Sequence, residues 1–394
     1  MTVPWLARDL LAEAARSLDE PTADYFFGAA DRQYLLRMNY GAWQQFSLTP
    51  TYLQRPVSVD DAVVFRGRTL DTPLTIAPVA FQSLLNPAGE PGLAFAAGVA
   101  GFGYTISTRS SRRLEAIAEA FDLGRRIEGD EIEGLGPAHR ELLAGFGDQR
   151  YGELWLQVYQ TQDPAFARQL LATGAEVGVR AAALTIDTPY LGARHRDQIH
   201  DFSPIVRLRE VLASDDQDGP AFGNGFTSEA IDQVHDLDLT RFFDECQGHG
   251  IDPIIKGVLS LADLDAIQGL LPMPVVTPWV SNHGGRQSDL LPTTAEALAL
   301  FAPRAREHDF VVDGGIAHPT DALCALALGA RVVALGRVAM AAYALGGVLG
   351  AVEYLIEFRS QLRQQLGILG YDGLGSIPSD CVLPRRLGAW GSYG

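Results

Sequence analysis

Cysteine is scarce in this chain: Cys246, Cys324 and Cys381 are the only three in 394 residues, and their spacing matches no metal-binding pattern. That excludes a disulfide framework or a zinc cluster as the organising device and points to a reducing, cytoplasmic setting. Positive charge is also in deficit, with 31 Lys and Arg against 48 Asp and Glu and a formal net charge of -17. A field of that sign repels nucleic acid and an anionic membrane surface alike, so neither is an expected partner. An anionic substrate then requires a local cluster of arginines. Residues 1–18 alternate apolar positions with Arg8, Asp9, Glu13 and Arg16, and read as an amphipathic helix rather than the uncharged core of a signal peptide. The most apolar stretch, 322–356, is broken by Arg331, Arg337 and several glycines, and reads as a buried helix-strand-helix passage rather than a membrane span. Short-period repeats and low-complexity tracts are lacking too.

What is there describes a soluble globular protein. Hydrophobic residues make up 47% and charged ones 20%, enough for a substantial core, and a mainly disordered chain is excluded. From about Pro73 onward, short Val-, Ile- and Leu-rich runs alternate with helical patterns, the signature of parallel strands joined by crossover helices. Eight such runs are found, at 74–77, 104–107, 154–159, 181–187, 253–256, 275–281, 310–313 and 331–335. Eight is the number that closes a barrel. The expected fold class is α/β, a (β/α)8 TIM barrel with an N-terminal helical extension and a long loop after strand 4. The extension is residues 1–72, with an extended stretch at 63–65, and the barrel is 73–394. A charged, glycine-rich insertion covers 122–152. The connection at 188–250 exceeds ordinary loop lengths and reads as a lid.

Polar residues collect at the strand ends: Ser107, Gln157, Tyr159, Thr185, Asp187, Lys256, Ser281, His283 and Asp313. In such a barrel those ends share the face where ligands bind, and a buried Lys256 or Asp187 is costly unless it is used or paired. Asp313-Gly314-Gly315 after the seventh strand and Gly336-Arg337 after the eighth fit a phosphate site of backbone N–H groups and a cation. A phosphorylated cofactor or substrate is implied.

The run Ser281-Asn282-His283-Gly284-Gly285-Arg286-Gln287-Ser288-Asp289 resembles the active-site signature of the FMN-dependent 2-hydroxy acid oxidases and dehydrogenases, the family of glycolate oxidase, lactate oxidase and lactate 2-monooxygenase. The resemblance extends through Ala77-Pro78-Val79-Ala80, Gln157-Val158-Tyr159, Thr185-Ile186-Asp187-Thr188-Pro189, Lys256-Gly257-Val258, Asp313-Gly314-Gly315 and Leu335-Gly336-Arg337, and reaches back to Asp24-Tyr25. It implies FMN as cofactor, a small anionic 2-hydroxy acid as substrate, oxygen or another electron acceptor, and a homotetramer. On the matching positions it implies His283 as base, Asp187 as the carboxylate pairing with its imidazole, and Tyr159 as a contact to the substrate hydroxyl. Tyr25, Arg194 and Arg286 match the positions that hold the substrate carboxylate, although Tyr25 stands in an aromatic run with Phe26 and Phe27 for which core packing is the rival reading. Lys256 matches the cation beside flavin N1 and O2, and Ser107, Gln157 and Thr185 match hydrogen-bonding positions around the ring. Ala77, Pro78, Val79 and Ala80 would pack beside it.

Four features depart from the family pattern. Where the family usually places an arginine after the glycine pair, this chain has Ala317 followed by His318, which implies weaker FMN retention, with Arg337, backbone N–H groups and His318 compensating. Arg109 occupies a substrate-side position that is commonly apolar or aromatic; it either selects a second acidic or polar group or reaches solvent. Ala80 in place of glycine favours an oxidase over a monooxygenase. The turn from Leu270 to Pro274 lacks the usual glycine. Two alternatives accompany the main reading: a flavin tailoring enzyme or monooxygenase acting on a different or larger hydroxy acid, and a catalytically silent barrel that binds FMN or a metabolite.

Overall fold

Three helices precede the barrel: α1 (Ala7–Ser17), α2 (Glu20–Phe27) and α3 (Tyr34–Ala42). The computed structural model describes residues 7–53, 56, 58–147, 150–160, 164–213, 237–269, 276–305 and 307–385. Ala7, Leu10 and Ala14 recur at helical spacing and bury one face of α1. Helix α2 begins where Asp19 accepts the Thr22 N–H at 3.1 Å and Pro21 occupies the first turn. Helical character then stops. Strand β1 (Phe46–Leu48) follows, and then an antiparallel hairpin of β2 (Val63–Phe65) and β3 (Arg68–Leu70).

The barrel strands are β4 (Leu74–Ile76), β5 (Gly103–Ile106), β6 (Leu154–Val158), β7 (Ala181–Thr185), β8 (Asp252–Val258), β9 (Thr277–Val280), β10 (Phe310–Val312) and β11 (Ala330–Leu335). They pair in parallel and in chain order, and β11 closes on β4. Each of the eight runs expected from the sequence overlaps one of these strands, and β5, β8 and β11 start one residue earlier than expected. Around them lie α4 (Gly89–Ala100), α5 (Leu114–Arg126), α6 (Pro137–Ala144), α7 (Pro164–Glu176), α8 (His195–Ile199), α9 (Pro204–Ala213), α10 (Leu239–Gly248), α11 (Leu261–Gly269), α12 (Thr294–Phe301), α13 (Pro319–Ala327) and α14 (Arg337–Leu369). Strand β12 (Val382–Pro384) returns to pair with β1.

Residues two apart on a strand face the same way, and this parity builds the site. Trp155, Ala183, Ile254, Trp279, Val311 and Ala334 form a cluster separate from the helix-facing core. Val63, Phe65 and Leu70 of the β2–β3 hairpin belong to that cluster, so the hairpin plugs the amino end of the barrel. Arg68 reinforces the plug with ion pairs to Glu153 and Asp252. Two residues further along the same faces stand Gln157, Thr185, Lys256, Ser281 and Asp313 at the carboxyl end.

Two segment boundaries differ from expectation. Residues 122–152 open inside α5, whose Phe121 and Gly124 are buried, and include α6. The end of 188–250 belongs to α10, which packs Phe242, Phe243 and Cys246 inward. Residues 214–236 and the turn from Leu270 to Pro274 lie outside the described residues. The 322–356 passage is helix, strand and helix, as its interruptions imply. By length and composition alone α14 could cross a bilayer; 61% of its most apolar stretch is buried inside this fold.

Candidate active site

A cavity of about 1140 Å³, counted out to its solvent mouth, opens at the carboxyl end of the barrel. Its deepest polar feature is a buried relay. Lys256 Nζ donates to Ser281 Oγ at 2.7 Å, Ser281 Oγ donates to Asp313 Oδ1 at 2.7 Å, and Lys256 lies 3.3 Å from Asp313 Oδ2. Burial pulls the Lys256 ammonium down, but Asp313 first and Asp187 next outweigh it, and the group ends above its ordinary value. A fixed positive charge therefore sits at the barrel axis. Beside it, Gln157 Nε2 donates to Thr185 Oγ1 at 2.9 Å, and the Thr108 N–H donates to Gln157 Oε1 at 3.2 Å.

His283 follows β9 in a left-handed conformation, φ 54°, rare for a residue with a side chain. Its backbone N–H is held by Ser281 Oγ at 3.1 Å, and its Nδ1 lies 3.0 Å from Asp187 Oδ1. Gly257, at φ 110°, makes room for this carboxylate: a Cβ there would stand 2.7 Å from that of Asp187. Burial pulls His283 below the ordinary histidine value, and Asp187 only partly restores it. Burial raises Asp187, but His283 and Lys256 together hold it below the usual carboxylate range. The resting pair is thus a neutral imidazole against a carboxylate, with Nε2 of the ring left to accept a proton.

The substrate side comes from three places. Arg194 starts α8, Arg286 follows the His283 turn, and Tyr25 comes from α2. Arg286 Nη1 donates to the Tyr25 carbonyl at 2.5 Å, and its guanidinium lies 5.1 Å from the Tyr25 ring centre. Burial and then Arg194 push Arg286 down to about 9, so the two neighbouring cations strongly favour an anion. Tyr25 packs on Phe26, Phe81 and Phe202 and also lines the cavity, so core packing and pocket lining coincide in one ring. Asp24 pins its backbone neighbourhood through Arg196 at 2.6 Å and His200 at 3.3 Å. Glu20, Asp24 and His200 approach within 4.8 Å of one another, but Arg196 already neutralises Asp24, and the group works as a latch between α2 and α8.

Gly314, Gly315, Gly336 and Arg337 line the same cavity, and Arg337 shares the Gly28 carbonyl with Arg286. Gly315, at φ 74°, admits no side chain, since a Cβ would meet the Asn39 carbonyl oxygen at 2.1 Å. Helix α14 begins here without a side-chain cap, a place that suits an anion. Arg337 donates to the carbonyls of Gly284 at 2.8 Å and Gly28 at 2.6 Å, which leaves its buried Nε without a partner among the described residues. The N–H groups of Ala317 and His318 are already taken by Asp321 Oδ2, at 3.0 and 2.9 Å, and His318 forms the N-cap of α13.

Of the residues expected to meet substrate, Tyr25, Arg109, Tyr159, Arg194, His283 and Arg286 line the cavity. Of those expected to hold the cofactor, Ala77, Pro78, Val79, Ala80, Ser107, Gln157, Thr185, Lys256, Asp313, Gly314, Gly315, Gly336 and Arg337 line it as well. Asp187 and Ser281 stand one layer behind, as partners of His283 and Lys256 rather than as lining. The sequence reading missed Phe26, Tyr40, Gly284, Ile316, Ala334 and Met340, which also line it. The aromatic run around Tyr25 was the available signal for Phe26; Tyr40 and Met340 reach the cavity only through helix packing.

Glycines beside an uncapped helix start, a buried cation and a histidine-carboxylate pair, gathered about one cavity, fit flavin mononucleotide. These features define an FMN-dependent oxidoreductase built on a (β/α)8 barrel. The chain belongs to the FMN-dependent dehydrogenase family, whose profile matches residues 14–384. It is similar to 2-hydroxyacid oxidase 2 of Rattus norvegicus, 28% identical over 387 residues, covering 96% of this chain and 98% of that one. It is likewise 28% identical to the L-lactate oxidase of a Nostoc strain, with 92% and 94% covered. A solved variant of mandelate oxidase superposes with a TM-score of 0.74 at 26% identity, over 95% and 97% of the two chains. A soluble mutant of the (S)-mandelate dehydrogenase of Pseudomonas putida shares the fold with a TM-score of 0.78 at 23% identity, over 96% and 99%.

Proposed function

We propose that this FMN enzyme oxidises an (S)-2-hydroxy acid to the 2-oxo acid, with His283 as base. The observation that carries the reading is the 3.0 Å contact from His283 to Asp187, made at the rim of a cavity whose wall also presents Arg194, Arg286 and Lys256. Arg194 and Arg286 bind the substrate carboxylate, for which planar guanidinium groups offer paired hydrogen bonds, and Tyr25 closes that end. Tyr159, kept neutral because burial raises its phenol, donates to the substrate hydroxyl. His283 Nε2 takes a proton from the bound acid, and Asp187 stabilises the resulting imidazolium. When bound, FMN supplies the two-electron acceptor, and oxygen or another acceptor regenerates it. Lys256 and the pair Gln157 and Thr185 would hold its ring, and Lys256 would stabilise negative charge there. Arg337 and the start of α14 would hold its phosphate.

A catalytically silent barrel and a tailoring enzyme for a larger acid are not favoured, because the base, its carboxylate and the arginine pair are assembled in one cavity. A homotetramer follows from the family resemblance, and a reducing cytoplasm from three buried free cysteines. Product analysis tests the central reading: aerobic incubation of the flavin-loaded enzyme with (S)-2-hydroxy acids should yield the matching 2-oxo acids. Hydroxylated or decarboxylated products would contradict it. Light scattering of the purified protein checks the tetramer.

A further inference from the structure

The cavity holds two guanidinium-tyrosine pairs. In the first, Arg286 lies over Tyr25 at 5.1 Å; in the second, the Arg109 guanidinium lies 6.0 Å from the Tyr159 ring centre. All four side chains line the same wall. Arg109 sits in the turn that follows β5, closed by the Ser110 N–H donating to the Ser107 carbonyl at 3.1 Å. Its backbone is fixed on both sides: the Arg109 N–H donates to Ser107 Oγ at 3.1 Å, and its carbonyl accepts from the Phe81 N–H at 3.2 Å. The side chain therefore leaves from a set point beside the Ala77 to Ala80 stretch. Burial raises the Tyr159 phenol, and Arg109 is the largest influence acting the other way.

One carboxylate is matched by the Arg194 and Arg286 pair with Tyr25. A third arginine beside a second tyrosine repeats that chemistry at another point of the wall. In a protein of net charge -17, such a concentration of cations marks a position for negative charge.

We propose that Arg109, next to Tyr159, is a second anion-binding position, and that the preferred substrates are 2-hydroxy acids carrying a second carboxylate. The inference rests on the 2-hydroxy acid reading above. Arg194, Arg286 and Tyr25 hold the carboxylate beside the reacting carbon, and Arg109 holds the distal one. The oxidation itself is unchanged: the alcohol carbon loses two electrons to the flavin, and the distal group takes no part in bond making.

The test is anaerobic flavin reduction in the FMN-loaded enzyme, followed with (S)-malate and (S)-2-hydroxyglutarate against (S)-lactate and (S)-2-hydroxybutyrate, in wild type, R109L and R109K. The expected result is a wild-type preference for the dicarboxylic acids. In R109L the ratio of dicarboxylic to monocarboxylic efficiency should fall by roughly tenfold to a hundredfold, the loss of one charge-assisted hydrogen-bonding group. R109K should recover part of it. A wild-type preference for the monocarboxylic acids, or a ratio unchanged in R109L while flavin reduction persists, overturns the inference alone. Absence of flavin reduction by either class overturns the underlying reading and the inference with it.

Discussion

His283 Nδ1 and Asp187 Oδ1 stand 3.0 Å apart, although they are separated by 96 positions and carried on the loops after β9 and β7. Burial depresses His283 more than Asp187 restores it, so its value lies below the ordinary 6.5. The neutral imidazole is the base, and activity is lost as pH falls through that lowered value. The acid limb of flavin reduction should accordingly lie below 6.5. Asp187→Asn removes the influence that raises His283, so the limb should move lower still, while the rate at neutral pH falls by about a hundredfold or more because the imidazolium loses its counter-charge. A limb that moved upward in D187N would contradict this assignment.

Lys256 keeps its proton through Asp313 and Asp187, and its charge favours an anionic reduced flavin. In Lys256→Met the two-electron potential of the bound flavin should become more negative by about 30 mV or more, equivalent to roughly 1.4 kcal/mol. Dye-coupled potentiometry of both holoenzymes measures this. An unchanged potential would remove Lys256 from the role given to it.

Tyr40 lines the cavity close to Arg337, whose charge opposes the effect of burial on the phenol. With alanine at 317 and its N–H held by Asp321, few side chains remain to grip the phosphate. FMN should therefore be partly lost on dialysis, and Tyr40→Phe should weaken its binding by roughly tenfold, the effect of one hydrogen bond to a charged group. Fluorescence of released FMN reports both. Stoichiometric, non-dialysable FMN in wild type and Y40F would contradict them.

Much of this was legible beforehand. The barrel strands stood out because parallel strands are buried on both faces and read as continuous Val, Ile, Leu and Ala runs ending in a polar residue. Lys256 and Asp187 stood out because charge at the end of such a run is costly unless used, and His283 stood out through the run of residues around it. Tyr40 and Met340 did not, since a residue on α3 or α14 looks like any other amphipathic position until the helices pack. The attachment of Arg337 to the Gly28 and Gly284 carbonyls was equally invisible, because it joins segments distant in sequence. Ser281 was expected on the cavity wall, yet its hydroxyl is fully engaged behind it between Lys256, Asp313 and the His283 N–H.

Away from the site, Arg359 on α14 is buried and donates through Nε to Asp61 at 2.8 Å and through Nη1 to the Ala100 carbonyl at 3.1 Å. Arg359→Leu leaves Asp61 buried with its main partner gone and should cost about 3–5 kcal/mol of stability. Urea denaturation measures the loss; a change below about 1 kcal/mol would show that solvent or Arg363 replaces the lost partner.

The most direct test of the central claim is anaerobic reduction of the flavin by an (S)-2-hydroxy acid in wild type and in His283→Gln, each loaded with FMN and checked for equal flavin content. Wild type should lose its oxidised-flavin absorbance rapidly, and H283Q should do so at least about a hundredfold more slowly, because the group that accepts the substrate proton is gone. Equal rates in the two proteins would contradict the assignment of His283 as the base.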